Sequence, residues 1–169
     1  MDDEWLERRA LHYLGRWEAT REGLARVLER GVRRRCLRTG EDPEAPLALI
    51  PALVDRLSQR GYVDDRRFAT QLFESLRRQG RSRLHIHGKL RHKGVPDPIV
   101  RELVERDEPE SELQAAWRLA RKRRLGPHCP DPDRRAASRS RHLAALARQG
   151  FSREIAYRVI DADEIPELP

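Results

Sequence analysis

The stretch RRQGRSRLHIHGKLRHKG, residues 77–94, organises the predicted fold. It holds seven Lys or Arg residues, three His and no acidic residue, in a chain of which 37% is charged. Ile86 and Leu90 are four residues apart and therefore share one face of a helix. Ser82 is suited to cap the start of this helix, and Gly94 to end it in a left-handed conformation. The pattern predicts a short helix with one core-facing edge and a strongly cationic remainder, which favours an anionic partner over an ordinary solvated face.

The overall composition indicates small modules rather than one deep core. Of the 169 residues, 38% are hydrophobic and 5% aromatic, and the mean hydropathy is -0.83. The formal net charge is +7 and the pI about 10.2. Most of the excess lies in residues 64–106, which carry +5, whereas residues 1–63 and 107–169 each carry +1. This distribution favours nucleic acid or another acidic surface as the partner.

Several classes of protein are not expected from this sequence. Cys36 and Cys129 stand far apart, so neither a disulfide framework nor a zinc site is predicted. His85 and His87 point away from each other on a helix, and His92 lies two turns beyond His85, so metal binding is not expected. The sequence contains no Gly-rich phosphate loop, nucleophile elbow, signal peptide or apolar run of ~20 residues. We therefore expect a cytoplasmic protein without a cofactor, a metal or a catalytic activity.

Apolar residues recur at helical spacing along almost the whole chain, and few segments alternate or are β-branched. This predicts an all-α fold. The expected helices span residues 3–17, a second segment from 20 that ends at either 31 or 37, then 47–59, 64–76, 82–93, a segment starting at 97, 110–124, 134–149 and 152–162. Loops are expected at 39–46 and 125–133, where polar residues and prolines accumulate.

A glycine followed by helical apolar positions occurs twice, which indicates an internal repeat. Five apolar residues follow Gly94 and five follow Gly150 at the same intervals. They are Val95, Ile99, Val100, Leu103 and Val104 in one copy, and Phe151, Ile155, Ala156, Val159 and Ile160 in the other. The repeat predicts tandem three-helix units, of which the first is less regular because extra residues separate Gly31 from Pro46. The predicted units are 1–63, 64–106 and 107–162, followed by a frayed tail at 163–169.

Three segments carry motifs: GYVDDRRFA at 61–69, RRQGRSRLHIHGKLRHKGV at 77–95 and LARQGFSREIAYRVI at 146–160. Together they resemble the RecX family, the bacterial regulators of the RecA recombinase. They are similar to the family's glycine-aromatic, acidic-pair and Phe-Ala signature, its basic helix ending in Lys-Gly-Val and its terminal helix pair. The resemblance covers about residues 5–162. It departs from the family pattern at 36–46 and at Gly88, a helical position where glycine costs roughly 0.5–1 kcal/mol relative to alanine.

This resemblance implies tandem three-helix units in an elongated, curved array. It also implies a monomer that docks in the groove of the RecA–DNA filament. Members of the family modulate, and usually inhibit, ATP hydrolysis, strand exchange and coprotease activity, which connects them with DNA repair, recombination and the SOS response.

The basic residues themselves define the predicted binding face. Arg side chains suit phosphates and acidic side chains alike, because the guanidinium fork binds either in bidentate fashion. We expect RecA or single- or double-stranded DNA to contact Arg77, Arg78, Arg81, Arg83, Lys89, Arg91, Lys93, Arg121, Lys122, Arg123, Arg124, Arg134, Arg135, Arg139 and Arg141. Trp17 is the aromatic residue that we expect to be able to stack on bases, whereas Trp117 lies on an apolar stripe and is expected in the core.

Two other functions stay open on the residues alone. Two helices joined through GVPD, residues 94–97, resemble a helix-turn-helix with the basic helix as the reader. That function predicts duplex binding without RecA, some sequence preference and a dimer. The other is a helical adaptor whose charge serves only solubility.

Overall fold

A computed structural model describes residues 1–167, and every regular element in this range is helical. The all-α prediction is therefore confirmed. In chain order the helices are α1 (Asp3–Leu14), α2 (Arg21–Thr39), α3 (Glu44–Ala48), α4 (Ile50–Gln59), α5 (Asp65–Arg78), α6 (Arg83–His92), α7 (Asp97–Glu105), α8 (Pro109–Arg123), α9 (Pro132–Ala137), α10 (Arg139–Arg148) and α11 (Arg153–Ile160), with a 3-10 turn at Gly126–His128. The last two positions of the predicted tail, 168 and 169, lie outside the described residues.

Side-chain caps fix several helix starts where the sequence predicts them. Thr20 accepts a hydrogen bond from the backbone N–H of Gly23 at 2.9 Å, and Ser152 accepts one from Ile155 at 3.2 Å. Ser82 caps α6 in the same way through the N–H of His85. Each cap satisfies a donor that the helix itself cannot pair, which contributes about 1 kcal/mol.

The two glycines of the repeat have the same conformation. Gly94 and Gly150 adopt φ values of 81° and 86°, in the left-handed region that disfavours residues with a Cβ. In each case the glycine N–H donates to the carbonyl three residues earlier, on Arg91 or Ala147. The matched spacing in the sequence thus corresponds to a matched turn.

The structure corrects three predicted boundaries. The expected loop at 39–46 contains the start of α3, which is separated from α4 because Pro51 has no N–H to donate to Leu47. The expected loop at 125–133 contains the 3-10 turn and the start of α9. The single helix predicted at 134–149 is divided at Ser138, whose ψ of 2° lies outside the helical range.

The chain forms two compact units, one of residues 1–69 and 91–97 and the other of residues 70–90 and 98 onward. The core of the first unit joins α1, α2 and α4, and its largest fully buried side chains are Leu6, Leu24, Leu28, Val32, Ile50, Leu53 and Leu57. The division into three three-helix units stays a prediction.

Residues 91–97 are fixed to the start of α2 within the first unit. The Thr20 hydroxyl donates to the carbonyl of Lys93 at 2.6 Å, and Arg26 donates to the carbonyl of His92 at 3.1 Å. A Cβ on Gly94 would lie 2.8 Å from Cβ of Glu22, so glycine permits this close approach.

The core of the second unit joins α8, α10 and α11. Its buried side chains include Leu113, Trp117, Leu146, Phe151 and Val159. Trp117 is 5% exposed, which confirms its predicted place in the core. Trp17 is 64% exposed, and its role in stacking stays a prediction.

Candidate nucleic-acid interface

The structure removes Arg77 from the predicted exposed face. Arg77 is 7% exposed and forms ion pairs with two buried carboxylates, those of Asp107 and Glu112. Its Nε donates to Oδ1 of Asp107 at 3.1 Å, and its Nη1 also donates to the carbonyl of Arg81 at 2.9 Å. The aromatic ring of Phe73 lies against the guanidinium, 5.6 Å from Cζ to the ring centroid. Arg77 is therefore a structural residue that phosphates cannot reach.

Arg83 belongs to the same buried cluster. Its Nε donates to Oδ2 of Asp107 at 2.7 Å, and its backbone N–H donates to Oε2 of Glu112 at 2.9 Å. Two guanidinium groups thus face two carboxylates, and the cluster is electrically balanced. The physical reason for this correction is tertiary: Asp107, between α7 and α8, and Glu112, on α8, bring acids to a stretch that has none of its own.

Arg81 is also involved in packing within the second unit. Its Nη1 donates to Oε1 of Gln149 at 3.2 Å, and the hydroxyl of Ser82 donates to the carbonyl of the same residue. A Cβ on Gly150 would lie 2.8 Å from Oγ of Ser82, so the turn before α11 packs directly on the start of α6.

Four other predicted residues have partners but stay accessible or half-buried. Arg139 forms a bidentate pair with Asp161, at 2.7 and 2.6 Å, which lowers the pKa of that carboxyl from its ordinary value. Arg135 donates to the carbonyl of Ala162 at 2.7 Å. Arg91 lies 3.1 Å from Asp97, and Arg78 lies 3.9 Å from a carboxylate of its own helix.

The remaining predicted residues are exposed, and none forms an ion pair with any residue from 1 to 167. They are Lys89, Lys93, Arg121, Lys122, Arg123, Arg124, Arg134 and Arg141. Most of them lie in the second unit at the end of α8 and on α9 and α10.

Five arginines line one cleft of about 400 Å³ in the second unit, which we call the Arg pocket. They are Arg123, Arg124, Arg134, Arg141 and Arg148. The other lining residues are Leu125, Cys129, Pro130, Ser138, His142 and Ala145, so no acidic side chain among the described residues contributes to its wall. This cleft is a strongly cationic concavity, although residues 107–169, which form it, carry a net charge of only +1.

Arg124, the residue directly after α8, has an unusual backbone conformation. It adopts φ 54° and ψ 49°, and it is the one residue other than glycine with positive φ in residues 1–167. Glycine or asparagine is the usual residue at such a helix end, and another residue there costs of order 1 kcal/mol. The conformation ends α8, with the N–H of Leu125 donating to the carbonyl of Ala120 at 2.9 Å, and it places Arg124 in the wall of the cleft.

His142 fixes the loop that forms the opposite wall of the Arg pocket. It is 8% exposed, and its Nδ1 accepts a hydrogen bond from the N–H of Gly126 at 3.1 Å. Burial, followed by the positive charges of Arg141, Arg134 and Arg135, lowers the pKa of His142 below its ordinary value. The neutral imidazole is therefore the form that holds the loop, because protonation of Nδ1 would remove the acceptor.

Three residues that line the Arg pocket were not predicted as site residues from the sequence: Arg148, Ser138 and His142. A signal was available, since Arg134, Arg141 and Arg148 are each seven residues apart, a spacing that returns to one side of a helix. The break at Ser138 does not disrupt this alignment, because all three arginines line the same cleft.

Among residues 1–167, no three His, Cys, Asp or Glu side chains are grouped as a metal site would require. None of the helices in that range is long and apolar enough to cross a membrane.

Comparison with known proteins identifies consistent relatives. A family model described as RecX, second three-helix domain, matches residues 64–103. The regulatory protein RecX of Myxococcus xanthus is 44% identical over 160 residues, which cover 94% of this chain and 86% of the relative. The regulatory protein RecX of Halorhodospira halophila is 33% identical over 143 residues, which cover 85% and 78% of the two chains.

Two solved structures share the fold. The crystal structure of RecX from Lactobacillus salivarius aligns with a TM-score of 0.68 at 20% identity and covers 94% of each chain. A crystal structure described as regulatory protein RecX aligns with a TM-score of 0.65 at 21% identity, over 95% of this chain and 71% of the other.

Proposed function

Because this chain belongs to the RecX family, we propose that it is a non-catalytic regulator that binds the RecA–DNA filament and inhibits the recombinase, ATPase and coprotease activities of RecA. The curated relatives are named as regulatory proteins, which supports a regulatory rather than an enzymatic role. DNA repair and recombination in the cytoplasm are the processes to which this function would belong.

The observation that carries the proposal is the Arg pocket. Its five guanidinium groups have no ion-pair partner within residues 1–167, and the pocket is concave. A nucleoprotein filament presents a regular array of negative charge, and Arg forks bind phosphates and carboxylates in bidentate fashion. Unpaired guanidinium groups need not break internal contacts before they bind such a partner.

The binding face that we propose is smaller than the sequence alone predicts. In the second unit it retains Lys89 and the exposed basic residues at the end of α8 and on α9 and α10, and it adds Arg148. Lys93, in the first unit, stays a separate prediction. The face excludes Arg77, which is buried against Asp107 and Glu112, and Arg83, whose half-buried side chain is already paired with Asp107.

A pair of matched triple variants tests this function. Arg123→Ala, Arg134→Ala and Arg141→Ala together remove three charges from the Arg pocket. Arg8→Ala, Arg33→Ala and Arg106→Ala remove the same number of charges from exposed positions that pair with a glutamate four residues earlier. Exposed pairs contribute little to stability, so both variants should fold like the parent.

Binding is measured by fluorescence anisotropy on RecA filaments assembled on single-stranded DNA, on bare single strands and on duplex, all at physiological salt. We expect the parent to prefer the filament and to slow RecA ATP hydrolysis, and the pocket variant to bind the filament about tenfold or more weakly, since each lost phosphate contact removes a favourable electrostatic contribution. The control variant should bind like the parent. Tight, sequence-dependent duplex binding without RecA would instead support the helix-turn-helix function, and equal binding by both variants would remove the Arg pocket from the site.

A further inference from the structure

A second cationic cleft lies in the first unit, between α1 and α2, and we call it the Trp5 pocket. It has a volume of about 370 Å³. Its lining residues are Trp5, Arg9, Gly31, Arg34, Arg35 and Arg38. The four α2 residues stand at positions 31, 34, 35 and 38, so they form a single stripe along that helix. This stripe faces Trp5 and Arg9 of α1. The lining contains four arginines and, among the described residues, no carboxylate.

Trp5 and Gly31 hold two of these guanidinium groups in place. Cζ of Arg9 and Cζ of Arg35 lie 5.6 and 5.4 Å from the centroid of the Trp5 ring, within the range of a cation–π interaction. A Cβ on Gly31 would lie 2.3 Å from Nε of Arg9, so the absence of a side chain at 31 lets Arg9 lie against the α2 backbone. Because two guanidinium groups already lie against the ring of Trp5, this ring positions arginines and does not stack on a base.

The charges of this cleft are uncompensated, unlike those of their neighbours in the sequence. Arg8 and Arg33 each pair with a glutamate four residues earlier, at 2.8 and 3.8 Å. Arg9 and Arg34, one residue further along, have no such partner among residues 1–167. Like charges three or four residues apart on a helix repel each other, so the stripe destabilises the unliganded fold.

Arg35 provides a second, independent indication of a ligand. Its Nε is buried and has no hydrogen-bond acceptor within the described part of the chain. Buried donors are nearly always paired, and a bound anion is one partner that would satisfy this exception. A phosphate group suits four guanidinium groups, because its non-bridging oxygens accept charge-assisted hydrogen bonds in bidentate fashion and a pyrophosphate or terminal phosphate also carries more than one negative charge.

We infer that the Trp5 pocket is a phosphate-binding site, in which Arg9, Arg34, Arg35 and Arg38 contact the oxygens of a phosphate group. The site does not depend on the proposed function, since it needs no recombinase. The phosphate comes either from the backbone of a nucleic acid or from a free phosphorylated small molecule, and recognition by guanidinium groups is common to both.

The test uses NMR of the arginine side-chain Nε–H groups in the full chain that carries Arg123→Ala, Arg134→Ala and Arg141→Ala, so that the Arg pocket does not contribute. Inorganic pyrophosphate is titrated against sodium chloride of equal ionic strength. We expect the Arg9 and Arg35 signals to shift saturably with pyrophosphate but not with chloride, and the Tm to rise as the ligand is added. A substitution of both Arg34 and Arg38 by alanine should abolish saturation.

Two glycine variants give a matched control, because both glycines lie inside helices. Gly31→Ala and Gly88→Ala should each raise the Tm by about 1–4 °C through helix propensity. The added Cβ at 31 displaces the Arg9 guanidinium, so pyrophosphate should bind about tenfold more weakly, which is the loss of one charge-assisted contact. Position 88 has no atom within 4 Å of an added Cβ, and its variant should bind like the parent.

A short oligothymidylate and an oligoglutamate peptide identify the source of the phosphate. Displacement of pyrophosphate by the oligonucleotide supports a nucleic-acid backbone, and pyrophosphate binding without displacement supports a free phosphorylated molecule. The inference is overturned if chloride reproduces the shifts, if Gly31→Ala binds like Gly88→Ala, or if the peptide binds more tightly than pyrophosphate.

Discussion

Two regions of the second unit contain clustered arginines, and they differ in what lies opposite. Arg77 and Arg83 face Asp107 and Glu112 inside the fold, whereas the five guanidinium groups of the Arg pocket face solvent. In the first cluster both carboxylates and Arg77 are buried, the charges balance, and several backbone groups take part in the hydrogen bonds. The second is exposed and made by residues that have no acidic partner within residues 1–167.

A run of basic residues in the sequence is therefore not the same as a basic surface on the folded protein. The run at 77–94 contains no acid, yet four of its arginines form ion pairs with acids outside it, and Arg77 and Arg83 share the buried carboxylate of Asp107. Residues 107–169, with a net charge of only +1, carry the more strongly cationic concavity. Binding capacity follows the charges that remain unpaired after folding.

Replacing one arginine by methionine in each cluster gives the largest expected difference in stability. Arg77→Met leaves two buried carboxylates with one remaining guanidinium, which should lower the free energy of unfolding by about 3–5 kcal/mol. Arg123→Met removes an exposed cation that has no ion-pair partner, so it should change the free energy of unfolding by less than about 0.5 kcal/mol. Urea denaturation followed by circular dichroism measures both.

A double variant shows whether charge or packing causes the loss. Adding Glu112→Leu to Arg77→Met removes one of the stranded carboxylates, so it should recover part of the lost stability. An Arg77→Met variant as stable as Arg123→Met would mean that the two clusters do not differ as described.

A smaller difference is expected in how the thermal stability of the parent and of a His142 variant depends on pH. Burial and the neighbouring arginines lower its pKa in the folded state, so the folded chain binds fewer protons than the unfolded chain in the window just below the ordinary value of 6.5. The stability contributed by neutral His142 is fully present above that value and is lost as pH falls through the window. His142→Asn keeps an acceptor for Gly126 but cannot titrate, so its Tm should fall less than that of the parent between pH 7.5 and 5.5. An identical fall in both would contradict the lowered pKa of His142.

Local features of the fold were predictable from the sequence. The helical spacing, the caps at Thr20, Ser82 and Ser152, and the left-handed glycines at 94 and 150 depend on residues a few positions apart, so they are visible in a linear pattern. The family was equally accessible, because its motifs are continuous segments.

The pairing of charges was not predictable in this way. Asp107 and Glu112 lie 30 and 35 residues from Arg77, and only the packing of α8 against the start of α6 brings them together. The stripe at 31, 34, 35 and 38 was visible in the sequence, but its importance depends on Trp5 and Arg9 of another helix. Sequence patterns identify cationic residues, and tertiary structure determines which of them stay free.

The dependence of filament binding on salt tests most directly whether the unpaired arginines carry the function. The slope of log Kd against log salt counts the phosphate contacts that release counterions, at about 0.7 per contact on single strands and 0.9 on duplex. We predict that replacing Arg123, Arg134 and Arg141 by alanine reduces this slope by about two, and that replacing Arg8, Arg33 and Arg106 leaves it unchanged. Equal slopes for the pocket variant and the parent would show that the unpaired arginines of the Arg pocket do not bind the filament.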